Sequence, residues 1–196
     1  MIADTAFRSE ECFTQKEFRR WVEARPRADV NHYELIHGRI VMTPPAGWTH
    51  GRVEVKVVRV LEEHASKNKL GVVFGSSTGY DLPSGDTVEP DASYVSAERF
   101  AAKPPSSPDE FLRVVPSLVI EILSPGTAKR DQREKKDIYE RNSVDEYWII
   151  DPRRRLVMVY HLRDRRYDSG QTFRAGTVRS RVLQKLRVRV DMLFAL

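Results

Sequence analysis

The chain has 196 residues, 40% hydrophobic and 31% charged, with no low-complexity tract, which excludes a disordered or fibrous polymer and suits one domain with a full core. Its single cysteine, Cys12, excludes an internal disulfide and a thiolate metal cluster. The net charge of +5 is uneven: residues 151–190 carry twelve Arg and Lys against Asp151, Asp164 and Asp168, a balance of +9, whereas residues 1–150 carry 21 bases against 24 acids, or −3. A polyanion partner would explain such a basic region, although arginines on a solvated strand face give the same pattern. MIADTAFRSEECF has no apolar core of signal-peptide length, and no run approaches the ~18 apolar residues of a membrane span. A cytoplasmic protein without a membrane partner is expected, organised as a single domain over residues 1–196.

Thr14-Gln15-Lys16-Glu17 has the form of a capping box, with Phe18, Trp21 and Val22 following at helical spacing, so a first helix starts at Thr14 and ends before Pro26. YELIHGRIVMTPP reads as a hairpin turning at His37-Gly38 and stopped by Pro44-Pro45. From Thr49, the apolar stripe Val53, Val57, Val60, Leu61 and His64 predicts an amphipathic helix of about four to five turns ended by Gly71. Strands at 72–74, 78–82 and 91–95, with a turn at 84–86, suit a meander. Residues 103–110, KPPSSPDE, form a surface loop.

Residues 117–123 read as a strand buried on both faces, followed by a turn at Pro125-Gly126 and then, from Ala128 to Asn142, a helix that ends with Asn142 in a left-handed conformation. Tyr147–Ile150 and Leu156–Tyr160 form an antiparallel hairpin, with Trp148 in the core. Leu186, Val188 and Val190 alternate with Arg187 and Arg189, as in a half-buried strand.

Glu121 stands inside the apolar run Leu118, Val119, Ile120, Ile122, Leu123. A carboxylate buried there costs several kcal/mol or is driven neutral unless a cation or donors meet it. A divalent metal held with Asp91, which follows Pro90 at a strand start, would meet it; so would a buried bridge to Arg130, Arg133, Lys135 or Lys136. Glu34 is a third acid in an unexpected place. Ser124 lacks the Gly-x-Ser-x-Gly elbow of nucleophilic hydrolases, and neither a phosphate-binding Gly-x-x-x-x-Gly-Lys loop nor zinc-ligand spacing occurs.

Five ordered motifs carry a resemblance over residues 33–152: YELIHGRIVMTPP, His50 opening the long helix, VEPDASYV, SLVIEILSP and RDQREKKDIYERNSVDEYWIIDP. Together they resemble the Uma-type family of bacterial proteins classed as endonucleases, a branch of the restriction-endonuclease-like PD-(D/E)xK superfamily. The resemblance implies an α/β fold with a central mixed sheet flanked by helices and additional antiparallel hairpins. It also implies a metal-dependent endonuclease acting on DNA. In the superfamily pattern a Pro-Asp strand is followed by Glu-x-Lys; here the later tripeptide is Glu121-Ile122-Leu123, so the lysine is missing from its usual place. The amine is expected on the next helix, where Asp131, Lys135 and Tyr139 share one face at i, i+4, i+8.

By this resemblance Asp91, Glu121 and the Ile122 carbonyl would hold Mg²⁺ or Mn²⁺, Glu34 would add a ligand directly or through water, and Lys135 would act on the attacking water. Lys136 is the alternative amine; His50 and Arg130 are secondary candidates, and Arg130, Arg133 and the late arginines suit backbone phosphates. A homodimer or higher homo-oligomer is expected. The rival readings are a nucleic-acid-binding or assembly module without turnover and a small-molecule hydrolase.

Overall fold

A computed structural model describes residues 7–26, 28–125 and 130–195. Helix α1, Gln15–Glu23, is closed by the predicted box: Thr14 accepts from the Glu17 amide while the Glu17 carboxylate takes the Thr14 amide. Its Phe18 packs on Leu35 and Ile40 of the first hairpin, β1 His32–Ile36 and β2 Arg39–Thr43. His37 and Gly38 take φ of 52° and 74°, the paired left-handed conformation that matches strand twist in a two-residue turn.

Helix α2, Trp48–Asn68, runs 21 residues, longer than the stripe indicated, because its first turn lies ahead of the buried stripe, which begins at Val53 and runs on to Ala65. Lys69 in the left-handed conformation closes it, and a Cβ on Gly71 would collide with the Val95 carbonyl, so only glycine lets the chain turn directly into β3, Gly71–Gly75.

The expected meander is instead split between two sheets. Strand β3 pairs with β6, Ala92–Ser96, whereas β4, Tyr80–Asp81, and β5, Thr87–Val88, form a hairpin that joins β1. The splitting has its cause in contacts distant in sequence. Asp86 accepts from the His37 amide at 2.7 Å, from the Ser84 hydroxyl at 2.5 Å and from Arg141 at 3.0 Å, tying this turn to the first hairpin. The four-stranded sheet runs β2-β1-β5-β4.

Helix α3, Ala97–Ala102, leads to the exposed loop that the sequence indicates. The main sheet then continues with β7 Leu118–Ile122, β8 Glu146–Asp151, β9 Leu156–Arg163, β10 Arg166–Tyr167 and β11 Gln171–Phe173. Its order is β10-β9-β8-β7-β6-β3, with β11 also on β9; β7 and β8 are parallel and the remaining pairs antiparallel. The fold is thus a mixed α/β architecture flanked by helices.

Successive side chains of a strand face opposite ways. Leu118, Ile120 and Ile122 of β7 accordingly join the core under α2, with Val53, Val57, Leu61 and Trp148. Val119 and Leu123 join the opposite core with Ile138 and Tyr139. Glu121 falls in phase with Val119 and Leu123, on the face covered by the helical segment after β7.

That segment departs from a regular helix. Asp131–Lys135 is a π-helical turn, continuing as α4, Lys136–Arg141. Ser143, not Asn142, takes the left-handed conformation, with φ of 62° against −89°. The Asn142 side chain holds its own backbone: its amide donates to Ile138 O and Ser84 Oγ, each at 2.8 Å. Gly126 and Ala128, in the expected turn and helix start, lie outside the described residues.

At the C-terminal end β12, Thr177–Arg179, pairs with β13, Arg187–Arg189. Val188 is buried between exposed arginines as the alternation predicts, but Val190 opens helix α5, Val190–Phe194, instead of extending the strand. No helix among the described residues is long and apolar enough to cross a membrane.

Candidate active site

Four elements bring the singled-out residues together. Strands β6 and β7 pair with Ala92 opposite Ile120, so Asp91, one residue before β6, lies beside the end of β7. There Asp91 Oδ2 accepts the Ile122 amide at 2.6 Å, continuing the ladder with a side chain. Glu121 is one residue back on β7. Glu34 arrives from β1, where Oε1 accepts the Glu89 amide at 2.9 Å.

The cation that Glu121 demands is Lys135. Its Nζ lies 2.5 Å from Glu121 Oε1 and 2.9 Å from Glu34 Oε1, bridging two acids from different sheets. The Tyr139 hydroxyl donates to the same Glu121 oxygen at 2.6 Å. Lys135 is only 2% exposed, and Glu34 and Glu121 only 3% each. Arg130 stands 3.7 Å from the other oxygen of Glu34 and donates to Thr43 Oγ1 at 2.8 Å. On the α2 side, His50 Nε2 lies 3.2 Å from Asp91 Oδ1 and its Nδ1 3.9 Å from Glu54.

Charge settles unequally on these groups. Burial pushes the Glu34 carboxyl up, but Lys135 and Arg130 outweigh it and leave Glu34 below the usual carboxylate range. Glu121 is driven well above that range by burial and by Asp131, Asp91 and Glu34, with Lys135 opposing. Burial disfavours the Lys135 ammonium, yet Glu121, Glu34 and Asp131 hold it firmly protonated. His50 loses charge stability to burial and more than regains it from Asp91, so its imidazole sits above the ordinary histidine value.

The ion pair is not sealed away. Glu34, Asp91, Glu121, Ile122, Arg130 and Lys135 line a cavity of about 210 Å³ that His50 also borders. Asp91 and His50 keep 18% and 14% of their side-chain surface exposed. Its wall carries six acids (Glu34, Glu54, Glu89, Asp91, Glu121, Asp131) against two permanent cations, Arg130 and Lys135, a formal −4 with both histidines neutral. That surplus of hard oxygen donors fits a divalent cation, although among the described residues no three His, Cys, Asp or Glu side chains already converge at ligand spacing. Asp91 and Glu121 fit such an ion better than Glu34, since Glu34 faces Lys135 with one oxygen and Arg130 with the other, whereas Lys135 and Tyr139 share a single oxygen of Glu121.

Lys136 is directed elsewhere, its Nζ 4.1 Å from the Tyr160 ring centroid, and Arg133 is exposed. Of the two adjacent lysines only Lys135 reaches the cleft. Sequence reasoning gave no site role to Asp131, Glu54, Glu89 or His32. Asp131 carried a signal, its i, i+4 spacing to Lys135; Glu89 adjoins the Pro-Asp motif, and Glu54 follows His50 by one helical turn.

The family model described as Uma2, putative restriction endonuclease, matches residues 16–191. The chain belongs to this family. Among solved structures it is similar to one described as a putative nuclease belonging to DUF820 from Anabaena variabilis ATCC 29413. The two are 20% identical, with a TM-score of 0.76 over 93% of this chain and 97% of that one. No curated protein matches. At that identity the likeness establishes a shared fold.

Proposed function

We propose that this Uma2 family member is a metal-dependent endonuclease that hydrolyses phosphodiester bonds in DNA. The observation that carries the reading is the convergence of Asp91, Glu121, Glu34 and Lys135, from four separate elements, on one strongly acidic cleft. Phosphate would be repelled from such a cleft by acids alone.

Asp91 and Glu121, with the Ile122 carbonyl, would hold Mg²⁺ or Mn²⁺. When bound, the ion would supply Lewis-acid polarisation of the phosphate and activation of a water. The Lys135 ammonium, held protonated, would stabilise negative charge gathering on the phosphoryl oxygens and orient the attacking water. Glu34 keeps Lys135 in place from the other sheet, with Arg130 behind it. Tyr139 fixes the Glu121 rotamer by its hydrogen bond, leaving that carboxylate's second oxygen for the ion. His50 braces Asp91 from α2 and keeps it facing the cleft.

Incubation with plasmid and linear DNA in Mn²⁺ tests the proposal. Cleavage is expected, abolished by chelator and by Asp91→Ala. In calorimetric titration Asp91→Ala should also lose Mn²⁺ binding. Salt-sensitive DNA binding without cleavage by the unsubstituted chain would replace the enzyme with a binding module. Unaltered Mn²⁺ affinity in Asp91→Ala would remove the metal site.

A further inference from the structure

Helix α2 has two unlike sides. Val53, Val57, Leu61 and Ala65 are buried in the core with the main sheet, and His50 and Glu54, on the same side, border the cleft. On the opposite side Trp48, Arg52, Val55, Arg59, Glu62 and Ser66 follow one another at alternating steps of four and three residues, and all six are exposed. That alternation is the seam spacing of a coiled coil, which keeps side chains in line along one face for the length of a helix.

The outward face of a helix is normally polar. Here Trp48 and Val55 are 74% and 61% exposed. Met192, at 58%, lies on α5, which Lys56 ties to α2 by donating from Nζ to the Met192 carbonyl at 3.0 Å. Three of the five exposed large hydrophobic side chains among the described residues thus gather on α2 or on the helix tied to it. Exposed apolar groups scattered singly need no explanation, whereas a gathering of them marks a surface that something covers.

The charges of the seam identify what covers it. Helix α2 forms ion pairs on its inner side, through His50. Among the described residues Arg52, Arg59 and Glu62 form none. Arg59 precedes Glu62 and Glu63 by about one turn, but arginine ahead of glutamate is the less favourable order for a pair within a helix. The bases occupy the first half of the seam and the acid the second, so the pattern is complementary to its own reverse. When two copies of α2 run antiparallel about a two-fold axis level with Val57, Arg52 faces the partner's Glu62, Arg59 faces the partner's Val55, and Trp48 covers the partner's Ser66 in the last turn. Two-fold symmetry makes each of these contacts twice.

We propose that the outer face of α2 is the interface of a homodimer, in which two copies of this chain pair antiparallel along the seam. Both clefts stay open, because His50 and Glu54 reach them from the other side of the helix. Such pairing does not depend on the nuclease reading.

Sedimentation equilibrium of the full chain should give twice the mass of one chain. Arg52→Glu and Glu62→Arg each set like charges opposite one another at two places, and each alone should raise the dimer dissociation constant roughly tenfold or more. Helix content by circular dichroism should stay unchanged, both positions being exposed. Mixed in equal amounts, the two variants should recover the dimer, since each then offers the charge that the other lacks. Within one chain the two positions lie ten residues and about 15 Å apart, too far to pair, so recovery on mixing reports contact between chains. Acrylamide should quench tryptophan emission more in Arg52→Glu than in the unsubstituted chain, because Trp48 is uncovered in the monomer. A monomer at every concentration, a dimer indifferent to both reversals, or no recovery on mixing overturns the interface. A monomeric chain whose binding to duplex DNA weakens in Arg52→Glu would also overturn it and give the face to nucleic acid.

Discussion

Glu146 and Glu121 are buried glutamates on adjacent parallel strands, β8 and β7, and they are kept from water in opposite ways. Glu146 Oε1 accepts the Trp148 indole N–H at 2.6 Å; Oε2 accepts the Ser180 hydroxyl at 3.0 Å and the amides of Arg181 and Val182 at 2.8 and 3.1 Å. Four neutral donors spread over both oxygens leave it little capacity for a further partner, and it lies outside the cleft. Glu121 receives Lys135 and Tyr139 on a single oxygen, shares that lysine with Glu34, and borders a cavity already rich in acids. A carboxylate saturated by dipoles latches one segment of chain to another. One that shares a cation and keeps an oxygen in reserve is suited to chemistry.

The largest expected effect separates the two directly. Lys135→Met leaves Glu34 and Glu121 buried without their shared cation, and breaking a buried pair in this way costs about 3–5 kcal/mol. Urea denaturation should show that loss. Mn²⁺ should restore more stability to Lys135→Met than it adds to the unsubstituted chain, because the metal would supply the missing positive charge. An equal response in both proteins would mean that these acids do not hold the ion.

Much of this contrast was legible in the sequence, and what was not has a physical reason. A carboxylate in the apolar run of β7 announced a buried cation, and the spacing from Asp131 through Lys135 to Tyr139 pointed to the right face. The choice between Lys135 and Lys136 was not decidable, since the π-helical turn ending at Lys135 has no sequence signature as clear as a cap. Thr14, the His37-Gly38 turn and the α2 stripe announced themselves because their determinants are local. Strands β4 and β5, of two residues each, are too short for a period to register, and Asp86 fixes them through contacts distant in sequence. Glu146 gave no signal, because three of its four donors come from 34–36 residues downstream. The proposed catalytic roles came from family resemblance, not from spacing.

A middle-sized effect is expected at Glu146. Glu146→Gln turns one acceptor oxygen into a donor facing groups that are themselves donors, so at least one buried partner loses its bond. The cost should be about 1–3 kcal/mol. Denaturant midpoints measure it, and Mn²⁺ affinity per folded molecule should be unchanged. A lost Mn²⁺ site would join Glu146 to the functional cluster and erase the distinction from Glu121.

Asp168 supplies the smallest step of the series. Like Glu146 it is held by neutral donors, the amides of His161 and Gly170 at 3.2 and 3.1 Å, but its side chain is 31% exposed and His161 Nδ1 lies 3.3 Å away. Burial nudges its carboxyl upward, and the two amides with the His161 ring more than reverse this, leaving it below the usual aspartate range. An acid whose native pKa is depressed stabilises the fold above its unfolded value, and that contribution disappears as pH falls through the native one. Asp168→Asn should therefore cost less than about 1 kcal/mol at neutral pH, water competing for an exposed acceptor. The difference between the two proteins should persist down to about pH 4, the unfolded aspartate value, and close below it. Denaturation across that range reads it. A difference that stays constant into the acid would trace the loss to amide geometry rather than to charge, placing Asp168 beside Glu146 as a matter of donors and shape alone.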